Sequence, residues 1–158
     1  MNNIEKKIIA IGGGGFTHQL DESLDQFVID QSKKPKNKIG FLATASKDDE
    51  NKINLFYKRY QNTKSELSHF NLTSATDGFY EWILNKDIIY IGGGNTVFML
   101  NIWKKNKLES IFKNAYEKGI ILSGVSAGAV CWFDWILSDS AGPGFNSLRG
   151  INFISGSC

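Results

Sequence analysis

The sequence has few of the residues on which disulfide-rich and metal-binding proteins depend. It contains only two cysteines and two histidines among 158 residues. Cys131 and Cys158 are too few for a disulfide framework and lack the spacing of metal ligands, so they favour a reducing compartment. With only His18 and His69 available, a zinc site is not expected, and no motif calls for another cofactor.

The sequence also lacks a long apolar run and an excess of charge of one sign. No apolar stretch approaches the roughly 18 to 20 residues that a membrane helix needs, and the segment before the first glycines is too short for a secretory signal. Eighteen basic residues against sixteen acidic ones leave a net charge of +2, and the basic residues are scattered. We therefore expect a cytoplasmic protein without a membrane or nucleic-acid partner.

What the sequence does contain is an alternation of short apolar runs and longer amphipathic segments. With 42% hydrophobic residues, the chain is expected to form one domain over residues 1–158. The pattern predicts an α/β fold with a buried parallel sheet. The predicted strands are residues 7–12, 39–44, 88–92 and 120–124, with a weaker one at 67–72. Helical spacing follows at 20–28, 53–60, 95–105 and 108–116. From about residue 135 the pattern loosens, and no closing element is predicted.

Three of the predicted strands are followed by glycine-rich turns. They read IGGGGFTH at 11–18, IGGGNT at 91–96 and SGVSAGA at 123–129. The carboxyl ends of parallel strands meet at one edge of a sheet, which is where ligands bind in such folds. We therefore expect the three turns to face one crevice.

The third turn has the G-x-S-x-G pattern of a nucleophile elbow, with Ser126 at its centre. Such a turn lifts the hydroxyl above the sheet edge in a strained conformation, and small neighbours avoid clashes. An oxyanion forming beside Ser126 would be stabilised by the Ala127 N–H and by the start of the next helix. The alternative is a tight packing turn with a capping serine.

The second turn can supply further backbone donors. Gly93 and Gly94 could present N–H groups to Ser126 across the crevice, and Asn95 would cap the following helix at the edge of the substrate site. The competing interpretation is a phosphate-binding turn, but neither a P-loop nor a dinucleotide-binding pattern is present. The first turn, residues 12–15, is either a flexible connection or part of the substrate pocket.

Together these motifs resemble the peptidase E and cyanophycinase-like serine peptidases, closest to the branch related to aspartyl dipeptidases. The similarity is carried by IIYIGGGNTVFML, by GIILSGVSAGAVCWF about thirty residues later, and by a following Asp-Ser pair. It implies a three-layer parallel-sheet fold like that of class I glutamine amidotransferase domains, and hydrolysis of short peptides, often with an N-terminal aspartate. By position it implies Ser126 as nucleophile and Gly94 and Ala127 as oxyanion donors.

The resemblance also implies an acid shortly after the nucleophile helix and a histidine base. Asp139 is the first candidate for the acid and Asp134 the second. In relatives the histidine follows a proline just beyond a segment resembling ISGSC, whereas this sequence ends at Cys158. The C-terminal part of the fold is therefore expected to be missing. This is explained either by truncation of a longer peptidase, which the intact elbow favours, or by a natural short variant that has lost catalysis.

Other roles stay open for four residues. His18, just past the first turn, is a substitute base, a pocket-lining residue or a solvated histidine, whereas His69 is expected to be structural. Arg149 is the only arginine after the elbow and is a candidate to bind an acidic substrate side chain, or else a surface residue. Glutamine-amidotransferase chemistry would require cysteine at the elbow, and Cys131 is expected to be a core thiol.

Two functions follow from these expectations. The first is a serine exopeptidase acting on short peptides. The second is a catalytically inactive module that binds a small peptide or an amino acid in the same crevice. An unfinished sheet would leave an exposed edge, so association into a homodimer is also left open.

Overall fold

A computed structural model describes residues 4–158, and its centre is a five-stranded parallel sheet. The strands pair in the order β1-β5-β4-β2-β3. Their bounds are β1 Ile8–Ile11, β2 Lys38–Leu42, β3 Glu66–His69, β4 Ile88–Ile91 and β5 Ile121–Val125. The predicted parallel sheet is confirmed. The second strand ends earlier than expected because residues 44–46 turn into a short 3₁₀ helix.

Helices cover both faces of this sheet. They are α1 Glu22–Asp30, α2 Glu50–Tyr60, α3 Phe79–Leu84, α4 Thr96–Lys105, α5 Glu109–Glu117 and α6 Ala127–Val130. The six-residue α3 was not expected from the sequence, because it is too short to show a helical period clearly. Helix α6 is a single turn, shorter than the expected helix.

Two hydrophobic clusters, one on each face, make the fold a three-layer structure. In β4, Ile88 and Tyr90 join the cluster that includes α1 and α2, whereas Ile89 and Ile91 join the cluster that includes α3, α4 and α5. All four side chains are fully buried. A strand covered on both faces must be apolar at every position, which explains the unbroken apolar run. Burial of each large aliphatic side chain stabilises the fold by about 1.5–3 kcal/mol.

The sequence pattern loosens after about residue 135 and predicted no element there, whereas the structure contains three strands. This part forms a second sheet of three strands in the order β7-β6-β8, and their bounds are β6 Phe133–Ser138, β7 Asn146–Arg149 and β8 Ile154–Ser157. Along β6, Trp135 and Leu137 are exposed while Ile136 and Ser138 are buried. The sequence does not show this alternation as a change of polarity, because the exposed residues are apolar, so the turn-forming sequence DSAGPG was the available signal for a hairpin. None of the helices in residues 4–158 is long and apolar enough to cross a bilayer.

Candidate active site

The strand order places the turn with Ser126 between the other two glycine turns. Strand β5 pairs with β1 on one side and with β4 on the other. The turn after β5 is therefore flanked by the turn after β1, residues 12–15, and by the turn after β4, residues 92–95, which we call the GGGN corner. All three lie at the carboxyl edge of the sheet.

Ser126 has the strained backbone of an elbow. Its φ of 53° and ψ of −115° lie where L-residues are rare, at a cost of about 1–3 kcal/mol. Two sets of hydrogen bonds hold this conformation. The Ser126 N–H donates to the Ile11 carbonyl at 3.0 Å, and the Ser126 carbonyl accepts from the Ala129 N–H at 2.8 Å. The residue is exposed at the crevice.

The two glycines of the pattern are required by close packing of the elbow on β4. A Cβ at Gly128 would lie 2.2 Å from the Ile91 carbonyl oxygen, and one at Gly124 would lie 2.3 Å from the Gly128 oxygen. Backbone atoms cannot yield as a flexible side chain can. Only glycine at both positions lets the chain turn between β5 and the end of β4.

The GGGN corner lies directly against Ser126. A Cβ at Gly93 would be 3.1 Å from Ser126 Cβ and 3.6 Å from its Oγ. The loop after β2 supports this corner from behind, because a Cβ at Gly94 would be 2.3 Å from the Ala45 carbonyl oxygen. The Asn95 N–H donates to the same carbonyl at 2.7 Å. Sequence reasoning missed the supporting role of this loop. The sequence indicated only that the loop follows β2, a buried strand, which the fold places beside β4.

Backbone donors at this edge are free to bind a ligand. Within the part of the chain that the structure describes, neither the Gly94 N–H nor the Ala127 N–H donates to a protein acceptor. The helix that starts at Ala127 has only four residues, so the expected dipole of a longer helix is reduced to that of one turn. Individual N–H groups, rather than a helix dipole, therefore supply the positive potential beside Ser126.

Asn95 and Cys131 both have structural partners. Asn95 Oδ1 accepts a hydrogen bond of 2.8 Å from the Phe98 N–H, so the side chain caps α4 as expected from the sequence. Cys131 lies just after α6 and is fully buried. Burial raises the pKa of this thiol well above its ordinary value, as suits a core residue.

The hairpin of β6 and β7 returns the chain to the crevice. Its connecting turn contains Asp139 and Ser140, and Ser140 Oγ accepts a 3.2 Å hydrogen bond from the Val97 N–H at the start of α4. Ser138 Oγ and Ser140 Oγ form a further hydrogen bond of 2.9 Å. Since α4 begins at the GGGN corner, this hydrogen bond holds Ser140 near that corner, and the neighbouring Asp139 is exposed.

Asp134 and Arg149 lie at the opposite end of the hairpin. Asp134 precedes Ser138 by four residues of extended chain, which spans about 13 Å. It forms an ion pair with Arg149, whose guanidinium stacks 3.8 Å from the centre of the Trp135 ring. Lys104, at the far end of α4, contacts the Arg149 carbonyl. The structure therefore does not bring Asp134 or Arg149 to Ser126.

The two histidines differ in their distance from the crevice. His18 lies in the 3₁₀ turn after the first glycines, and its Nδ1 is 3.0 Å from the Gly14 carbonyl oxygen. A carbonyl can only accept, so Nδ1 carries the proton in this contact and Nε2 is left as an acceptor. His69 lies on β3, three strands or about 14 Å from β5, and contacts the Tyr57 hydroxyl. Among residues 4–158, Ser126 Oγ has no hydrogen-bond partner.

A buried carboxylate under the first glycine turn was missed by sequence reasoning. Asp25 is fully buried, and Arg59 Nε donates to its Oδ2 at 3.1 Å. A Cβ at Gly15 would lie 2.9 Å from Asp25 Oδ1, so the carboxylate supports the turn directly. Burial raises the pKa of Asp25, although the Phe16 N–H and Arg59 oppose this shift. In the sequence, one aspartate in an amphipathic helix looks like a surface residue.

The described residues offer no protein-borne metal centre. No group of three or more His, Cys, Asp or Glu side chains between residues 4 and 158 is arranged to hold a metal ion.

Comparison with known families and proteins finds similar peptidases. The sequence model of peptidase family S51 matches residues 8–157. The chain is 42% identical over 154 residues to the uncharacterized peptidase YgaJ of Bacillus subtilis (strain 168). That alignment covers 96% of this chain and 66% of the relative, so the chain spans slightly less than two thirds of the relative's length.

Solved structures support the fold. A crystal structure assigned to peptidase E from Listeria monocytogenes EGD-e matches with a TM-score of 0.74 and 16% identity, covering 95% of this chain and 76% of that one. A peptidase from an acI-B1 actinobacterium matches with a TM-score of 0.70 and 17% identity, over 92% and 64% of the two chains. At these identities the likeness concerns the fold alone.

Proposed function

The chain belongs to peptidase family S51, and on that premise we propose that it is the nucleophile-bearing part of a serine exopeptidase that hydrolyses short peptides. The observation that carries the proposal is the backbone of Ser126, which is held at φ 53° between two glycines at the crevice. A packing turn would not require an exposed hydroxyl at its strained position. The cysteine content favours action in the cytoplasm.

In the proposed mechanism, Ser126 Oγ attacks the carbonyl carbon of the scissile peptide bond while a histidine base takes its proton. The carbonyl oxygen gains negative charge, which the N–H groups of Gly94 and Ala127 stabilise by hydrogen bonds. The histidine then gives the proton to the departing amine, and water releases the acyl group by the reverse steps. Asp139 is the proposed acid that orients the histidine; the hydrogen bond of the adjacent Ser140 to the start of α4 supports this choice over Asp134, which is paired with Arg149.

Labelling with a fluorophosphonate probe tests the nucleophile. We expect an adduct on Ser126 in a protein extended past Cys158, and no adduct in Ser126→Ala. Ser110→Ala is the matched control, because Ser110 lies at the start of α5, and the one hydrogen bond of its hydroxyl within the described chain is to the Lys107 carbonyl. Absence of an adduct from a folded, extended protein would reject the assignment.

A second candidate is a binding module of the same fold, favoured by one observation. Neither histidine of the described chain is hydrogen-bonded to Ser126 Oγ. A serine without an adjacent base is nearly unreactive at neutral pH. Calorimetry with dipeptides that begin with aspartate distinguishes the two functions: binding without turnover in the extended protein supports the module, and turnover supports the peptidase.

A further inference from the structure

A lysine-rich recess opens at the amino edge of the parallel sheet, opposite the crevice with Ser126. Its volume is about 380 Å³, within the range of small-molecule sites. Four chain segments that enter or leave the sheet form its walls: the start of β1, the end of α1, the residues between α3 and β4, and the end of α5. Five lysines line it, and they are Lys7, Lys33, Lys34, Lys86 and Lys118.

Two acidic residues in the recess compensate three of these lysines. Glu5 forms ion pairs with Lys7 and Lys33, and these contacts lower the pKa of its carboxyl group. Asp87 pairs with Lys34. Lys7 Nζ also donates to the Gln31 carbonyl at the end of α1, as expected for a cation at a helix C-terminus.

The charge of Lys86 is not balanced by an ion pair with any of the described acidic residues. Its residue is only 9% exposed, yet no ion pair or hydrogen bond to its Nζ is present among residues 4–158. Within the described chain, Nζ forms a cation–π contact with the Trp82 ring, whose centre is 5.1 Å away. Burial lowers the pKa of the ammonium group; Glu66 and Asp87 oppose the shift, and Lys38 adds to it. Because none of the described acidic side chains forms an ion pair with it, this ammonium group is available to an anionic ligand.

Lys86 lines both this recess and the shallower one beside it, which also contains Lys36 and Lys38. Lys118, on the opposite wall, likewise has no ion pair within the described chain. Gly119 ends α5 with a φ of 81°, and segment 4–5 packs closely over it, so that Lys118 and Glu5 face the same space.

We propose that this recess is a binding site for a small phosphate-bearing anion, with Lys86 and Lys118 as the residues that contact its phosphate groups. The donor set is compatible with phosphate, because lysine binds phosphate as a point charge. A phosphate group carries up to two negative charges, which suits a recess in which five lysines outnumber two acidic residues. The recess contains lysines and no arginine. The site is separate from the proposed peptidase chemistry.

Titration calorimetry and thermal unfolding with sodium pyrophosphate in low-salt buffer test the site. We expect saturable binding and a rise in Tm, because a ligand that binds only the folded state stabilises it. Lys86→Met keeps an apolar stem against Trp82 and removes the charge, and it should weaken binding at least about tenfold. Lys113→Met is the control with the same change of charge, since Lys113 is exposed on α5 outside the recess.

Further ligands and variants make each outcome decisive. Inorganic phosphate and ADP distinguish a free phosphate ligand from a nucleotide, and succinate is the carboxylate control with similar charge. If Lys86→Met does not fold, Lys118→Met is expected to show the same loss. The proposal is overturned if pyrophosphate causes no Tm shift, if the variants bind as the parent does, or if succinate binds equally well. Labelling of Ser126 is expected to be unchanged in these variants, so the two proposals fail independently.

Discussion

The two edges of the parallel sheet are formed by the same five strands but carry different loops. The carboxyl edge has three glycine turns, a strained serine and backbone N–H groups that have no acceptor among the described residues. The amino edge has lysines, ion pairs and the C-terminal ends of helices. In a parallel α/β fold, helices begin at one edge and end at the other. The carboxyl edge can therefore stabilise negative charge with backbone dipoles, whereas the amino edge must do so with side chains.

The largest expected effect at the carboxyl edge comes from Asp139. In an active, extended protein, Asp139→Asn should lower kcat on the order of 10⁴-fold, because an amide cannot hold a histidine in the required tautomer. Steady-state hydrolysis of a dipeptide measures this. Asp134→Asn is the contrast: it breaks an exposed pair with Arg149 and should change the free energy of unfolding by less than about 1 kcal/mol. A larger loss of kcat from Asp134→Asn would reverse the assignment of the acid.

The next largest effect concerns the packing of the elbow. In Gly128→Ala, the new Cβ would lie 2.2 Å from the Ile91 oxygen, so the elbow must move. We expect a loss of about 1–3 kcal/mol in the free energy of unfolding, and loss of fluorophosphonate labelling. Urea unfolding measures the first. Gly12→Ala, where no atom lies within 4 Å of the added Cβ, should leave stability unchanged. Equal stability of the two variants would mean that the elbow is not tightly packed.

Asp25, below the first glycine turn, makes the free energy of unfolding depend on pH. Its pKa is raised above 3.8 by burial, so between 3.8 and the higher folded value the folded protein holds a proton that the unfolded chain releases. This contribution to stability is complete below pH 3.8 and is lost as the pH rises through the folded pKa. The slope is at most about 1.4 kcal/mol per pH unit. Asp25→Asn should remove it from urea-unfolding data collected across this window. Asp30→Asn, exposed on the same helix, should not.

The smallest expected effect is at the GGGN corner. Asn95→Ala removes the cap of α4 and should cost about 1 kcal/mol, which corresponds to a fall in Tm of about 2–4 °C. Asn101→Ala deletes the same atoms from an exposed position within α4, where alanine is the better helix former, so Tm should not fall. If Asn95→Ala keeps its stability but raises KM, the side chain binds substrate rather than capping the helix.

Much of the sheet could be predicted because burial on both faces leaves a clear signal in a strand. The run around Ile88 is apolar at every position, since alternate side chains enter different hydrophobic clusters. The second sheet was missed because its strands are half exposed and short, and because Trp135 and Leu137 occupy exposed positions of β6, so polarity does not alternate with burial. A pattern of four to six residues is weak evidence when glycine and serine surround it.

The candidate site also contains residues that local sequence predicts and residues whose positions depend on distant contacts. The elbow glycines are recognisable in sequence because local geometry requires them. The positions of Asp139 and Arg149 depend instead on where the hairpin lies along α4, a contact between residues more than forty positions apart. The pairing of Asp25 with Arg59 likewise joins two helices that no local pattern connects.

By itself the sequence determined the parallel sheet, the three glycine turns and the place of Ser126 within one of them, because backbone conformation and strand burial act over a few neighbouring residues. Only the tertiary structure decided that Asp134 pairs with Arg149 and which lysine has no acidic partner among residues 4–158. Such pairings depend on packing between distant segments, and the free energy of a charged group depends on the neighbours that the fold brings to it.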